Sequence, residues 1–135
     1  MSPADTEAAL RDAFSIIPDP HERLAAIVAN GNGPGLPADD QREENLVPGC
    51  VSSVWLTASV VSGALRLKWD AGSPLVRGLA GLICRVYDGA QPAEAAAFET
   101  GILEALGLTR QISPTRLHGL ANVARRIREL AAGLQ

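Results

Sequence analysis

Apolar residues recur at helical spacing over residues 4–17, where Leu10, Ala13, Phe14 and Ile17 share one face. Ser2 is placed to cap this helix and Pro3 suits its first position, while Pro18 ends it. Asp19-Pro20-His21-Glu22 then reads as a second start, with Leu24, Ile27 and Val28 as the buried stripe and Asn30-Gly31 as the stop. Periodicity is lost from residue 31 to 45, a Gly-, Pro- and acid-rich stretch read as a surface loop of a length often tied to function or mobility. Over residues 51–61 the period becomes two: Val54, Leu56, Ala58 and Val60 alternate with Ser53, Trp55, Thr57 and Ser59. Ser62-Gly63 supplies a tight turn, and residues 64–70 return with Leu65, Leu67 and Trp69 opposite Arg66 and Lys68.

The helical period resumes at Ser73-Pro74, with Val76, Leu79, Ala80, Ile83 and Val86 as its stripe and Asp88-Gly89 as its close. Short helices are expected over 92–98 and 100–106. Ser113-Pro114 opens a last helix to about residue 132, burying Leu117, Leu120, Val123, Ala124, Ile127 and Leu130. This order predicts an α+β fold in which helices cover one face of a small antiparallel sheet. The expected organisation is a single domain over residues 1–135: N-terminal helices 4–30, a loop 31–49 and a core 50–132.

Composition narrows the function classes. With 135 residues, 47% of them apolar, the chain can bury one modest core without crosslinks. Two cysteines are too few for a disulfide framework, and neither a CxxC nor an HxxxH zinc pair occurs. No apolar run is long enough to span a membrane, and the N-terminal residues lack a secretory pattern, so a cytoplasmic location is expected. The net charge of −3 argues against a nucleic-acid binder. Its distribution is uneven: residues 1–49 carry nine acids and three arginines, whereas from Arg110 onward five arginines face the single acid Glu129. That asymmetry suits an acidic protein surface or an anionic group.

Cys50 is the main candidate for chemistry. In Val47-Pro48-Gly49-Cys50-Val51, proline and glycine turn the chain just before the strand, outside any periodic apolar stripe. Position alone allows two readings, a nucleophilic thiolate or a small buried hydrophobe. Cys84 falls inside a helical stripe and reads as core. Arg116 lies in the first turn of the last helix, an end that is already positive. It is either a solvated arginine or one reserved for an anionic partner, and the helix N-terminus itself is a natural anion site. His118 reads as surface or core, and Arg125, Arg126 and Arg128 as a solvated face. Trp55 and Trp69 read as packing residues and Asp70 as a turn former. With two histidines, His21 and His118, far apart in sequence, no Ser–His–Asp set can be assembled.

The run Gly49-Cys50-Val51-Ser52-Ser53-Val54-Trp55 resembles the G-C-x-S-x-V-W segment of SufE-like sulfur acceptors, the CsdE branch included. Val76-Arg77-Gly78-Leu79 is similar to the family's V-K-G-L, and Val86-Tyr87-Asp88-Gly89 with Pro92 to its Y-[ND]-G-x-x-P. Leu106-Gly107-Leu108, then Ile112-Ser113-Pro114-Thr115-Arg116 and Gly119-Leu120, resembles L-G-L…L-[ST]-P-[ST]-R-x-x-G-L. The order and spacing of these pieces hold over roughly residues 44–130. The sequence departs from the pattern at Val51, often Gln in the family, at Asp70-Ala71-Gly72-Ser73, at His118 and in the Gly-rich stretch 31–36.

The resemblance implies a fold like that of IscU-type scaffolds and a sulfur carrier without stand-alone turnover. Cys50 would accept persulfide sulfur from a SufS- or CsdA-type cysteine desulfurase, stimulate that enzyme and deliver the sulfur to iron–sulfur cluster assembly. Arg116 would support the thiolate or persulfide anion. No cofactor is expected in this chain, because the PLP belongs to the partner. Two alternatives stand beside this one: a non-carrying allosteric activator of a desulfurase, and an iron–sulfur scaffold, which would need about three cysteines or equivalent ligands.

Overall fold

The computed structural model describes residues 1–135. Helices α1 (Pro3–Ser15) and α2 (Pro20–Gly31) lead through two single-turn 3₁₀ segments (Ala38–Asp40 and Glu43–Asn45) into a hairpin of β1 (Val54–Val61) and β2 (Ala64–Ala71). Helices α3 (Pro74–Tyr87), α4 (Pro92–Ala97) and α5 (Ile102–Ala105) follow, then a 3₁₀ turn at Leu108–Arg110 and the long α6 (Pro114–Gly133). The architecture is α+β, as the pattern predicts.

Local chemistry sets the boundaries. Ser2, Asp19, Ser73 and Ser113 each cap the helix they precede by accepting a backbone N–H from its first turn, and a proline follows each cap. The hairpin reverses through Ser62 and Gly63, both at positive φ, as a two-residue turn that matches strand twist requires. Its antiparallel register sets Trp55 opposite Asp70 and Val60 opposite Leu65.

Burial departs from the expected pattern in three places. The strand starts at Val54 rather than residue 51, because the chain from Pro48 to Ser53 is a loop. Val60 and Val61 are exposed, since the hairpin tip runs beyond its helical cover. Helix α3 has no single stripe: ten of its fourteen residues are buried, so it is a core helix wrapped by α1, α2, α6 and β2. The first and fifth helices are also shorter than expected, with Ile17 left outside α1.

Glycines let α2 lie directly on α3. A Cβ on Gly31 would stand 1.8 Å from the Gly78 carbonyl oxygen, and one on Gly81 1.9 Å from that of Gly31. The Trp69 indole N–H donates to the Gly31 carbonyl at 3.0 Å, pairing an end-of-helix acceptor. Below it, the Asp70 carboxylate accepts from the Leu36 N–H and the Gln41 amide and pairs with Arg77, whose Nη2 donates to Gly33 O. The stretch 31–45 is therefore tied to the corner between β2 and α3.

Both edges of the two-stranded sheet are occupied. Leu65 exchanges backbone bonds with Gly89 and Ala90, and the Leu67 N–H reaches the Asp88 carboxylate. On the β1 side Leu46 bridges to Trp55, and the Val47 N–H donates to Val54 O at 2.8 Å. No helix is long and apolar enough to cross a membrane.

Gly81→Ala is expected to lower unfolding free energy by about 1–3 kcal/mol through overpacking, despite the helix propensity of alanine. Gly133→Ala, where nothing lies within 4 Å, should change it by no more than about 1 kcal/mol. Urea titration of the two variants against the parent checks this.

Candidate functional site

The buried pair Val47 and Val54 closes a short loop, Pro48 to Ser53, through the Val47 N–H to Val54 O bond. At the far side of this closure, the Gly72 N–H holds Ser53 O at 2.9 Å. Gly49 turns the chain at φ +80°, a conformation that side chains resist, and directs Cys50 toward α6. The Cys50 thiol is half-buried and donates to the Gly119 carbonyl at 3.3 Å. Gly119 leaves the helix surface bare there: a Cβ on it would already touch the sulfur at 3.6 Å.

Beside the thiol lies a cavity of about 240 Å³. Val54, Val76, Leu79, Leu120 and Val123 give it apolar walls, and Ser113, Thr115 and Arg116 bring the first turn of α6 to its rim. Val51, next in sequence and also on the lining, is 84% exposed. The sulfur thus sits between an apolar recess and an exposed apolar side chain.

Electrostatics at rest favour the neutral thiol. Burial pushes Cys50 above its ordinary value, and no neighbouring cation offsets it. Arg116 lines the same cavity but is exposed, and its guanidinium has no carboxylate partner; the ion pairs of the chain are Arg11–Asp12, Arg42–Glu44 and Arg77–Asp70. The helix end offers a further positive field, since Ser113 satisfies the Arg116 N–H but the first-turn dipole remains aimed at the rim.

The other residues of interest are dispersed. Cys84 is completely buried in α3 and lies outside the cavity lining; burial first, then the Asp88 carboxylate, pushes its thiol far up. His118 is exposed and does not line the cavity. Arg125 and Arg128 border a separate groove between α5 and α6. Trp55 is half-buried on the strand, Trp69 packs against the core and bonds to α2, and Asp70 anchors the 31–45 stretch and does more than end a strand. One site neighbour has no sequence signal of its own: Asn122, one turn beyond Gly119, donates its amide to Gly49 O at 3.2 Å.

Known proteins share both the sequence pattern and the fold of this chain. The family model described as "SufE: Fe-S metabolism associated domain" matches residues 8–131. An uncharacterized SufE-like protein of Rhizobium meliloti (strain 1021) is 28% identical over 128 residues, covering 90% of this chain and 91% of that one. Another from Rhizobium etli is 30% identical over 126 residues, 89% of this chain and 85% of that one. A third, from Synechocystis sp., is 32% identical over 91 residues, 67% of this chain and 57% of that one. The solution structure of a hypothetical protein from Thermus thermophilus superposes with a TM-score of 0.78 at 22% identity, over 95% of this chain and 94% of that one, and so shares the fold.

In the folded chain, alkylation is expected at Cys50 alone, with a pH midpoint above the ordinary thiol value of about 8.5, and at Cys84 only after unfolding. Cys84 also sets an alkaline limit. Above about pH 8.5 the unfolded thiol has lost its proton while the buried one keeps it, so the unfolded state binds fewer protons and stability falls as pH rises. The slope for this thiol is expected to steepen from about half its limit at about pH 8.5 toward that limit of about −1.4 kcal/mol per pH unit near about pH 10, and urea titrations over this range should show it flattened in Cys84→Ala.

Proposed function

The chain belongs to the SufE family of iron–sulfur metabolism, and from that premise we propose that Cys50 accepts persulfide sulfur from a cysteine desulfurase and passes it toward cluster assembly. One observation carries the reading: the chemistry needs a single thiol that can be sheltered and then presented, and Cys50 sits in a short loop against an apolar recess.

Acceptance is a thiol–persulfide exchange. The Cys50 thiolate attacks the terminal sulfur of the donor persulfide, a new S–S bond forms, the donor S–S bond breaks, and the donor cysteine leaves as its thiolate. One thiolate is consumed and one released, so no external oxidant is needed. At rest the thiol is kept protonated by burial and bonded to Gly119 O, which protects it and makes it a poor nucleophile. Docking of the donor moves the loop, exposes the sulfur and lets Arg116 with the α6 N-terminus stabilise the anion. Val51, apolar and exposed beside the thiol, gives the donor a contact at the point of transfer. The PLP that generates the persulfide is the donor's, and clearing that persulfide accelerates the donor.

After incubation with a SufS- or CsdA-type desulfurase and cysteine, intact-mass analysis is expected to show a gain of about 32 Da on the Cys50 peptide. Cys50→Ser should abolish both the gain and the stimulation of the desulfurase. Stimulation that survives in Cys50→Ser would instead identify a non-carrying activator. Arg116→Ala should retain the fold and slow sulfur acceptance roughly tenfold or more.

A further inference from the structure

We infer that Asn122 is a positioning residue: its amide latches the Gly49 carbonyl and so sets how often the Cys50 loop leaves its sheltered seat. Between Pro48 and Ser52 no backbone group bonds to another element of the fold; the only backbone feature there is the tight turn at Pro48–Gly49. Two hydrogen bonds tie this part of the loop to the rest of the fold, both to α6. One runs from the Cys50 thiol to Gly119 O at 3.3 Å, the other from Asn122 Nδ2 to Gly49 O at 3.2 Å. A thiol is a weak donor, so the amide bond is the stronger of the two. Asn122 and Gly119 are three residues apart and present their groups on one side of the helix.

The fit at Gly49 is steric as well as polar. A Cβ built there would stand 2.4 Å from Asn122 Nδ2, so the asparagine fills the space a side chain at 49 would need. Glycine at positive φ lets the carbonyl meet the amide, and the amide in turn holds that backbone conformation. Its exposed position allows water to replace the bond when the loop lifts, so the latch is reversible. The consequence for sulfur transfer rests on the reading of Cys50 as acceptor; the latch itself does not.

The test is iodoacetamide alkylation of the isolated full chain, followed by peptide mass analysis from about pH 7 to 10, with Cys84 as internal control. Asn122→Ala is expected to speed alkylation of Cys50 roughly two- to tenfold at neutral pH, to lower its pH midpoint toward the ordinary thiol value, and to leave Cys84 unreactive. An unchanged Cys50 rate would overturn the latch. So would a rise shared by Cys84, which would mean that the whole fold had loosened. The carrier reading is tested separately by the mass gain of the parent chain, so each idea can fail without the other.

Discussion

Helix α3 has almost no side to give to water, and the rest of the chain is arranged to cover it. Its small residues set how closely the cover can lie. Gly78 and Gly81 admit the backbone of α2, while Val76, Leu79 and Ile83 turn toward the elements that pack around them. A helix buried on nearly all sides must have neighbours on all sides, and this fixes where the hairpin and α6 go. The candidate site inherits its geometry from that constraint: Val76 and Leu79 of α3 form its floor, and β1 and α6 stand on either side.

The sulfur lies at the seam between those two elements. Strand and helix are rigid, and the six residues that join Val47 to Val54 are not part of either. The result is a thiol on a loop, anchored at its base by backbone pairing and shaped around a helix surface left bare by glycine. Apolar walls that keep the thiol neutral and polar groups of the first turn of α6 line one and the same cavity. Relieving that burial would favour the anion without any change in the fold that carries it.

What the sequence disclosed and what it withheld divide along physical lines. The helix starts expected at Ser2, Asp19, Ser73 and Ser113 and the hairpin turn are present because each depends on residues within a few positions of one another. The turn just before Cys50 was legible for the same reason, from Pro48 and Gly49, although the loop runs on to Ser53 where the strand was expected from residue 51. The seat of the thiol was not legible, because Gly119 O lies 69 positions away and Asn122 pairs with Gly49 across 73. The all-round burial of α3 was hidden too, since glycine and alanine carry little hydrophobic signal and yet permit the closest packing. The exposed tip at Val60 and Val61 shows the converse: alternation identifies a strand's faces but not how far the covering helices extend.

The pairing of Val47 with Val54 also fixes a length. Cys50 follows Val47 by three residues, and a fully extended chain of three residues covers about 10 Å, so the Cys50 backbone can swing no farther than that from Val47 unless the strand edge itself unravels. A tether that short cannot probe a deep crevice. A molecule that exchanged atoms with this thiol would have to bring its own reacting centre near the protein surface: the visitor would supply the reach, and this chain the aim.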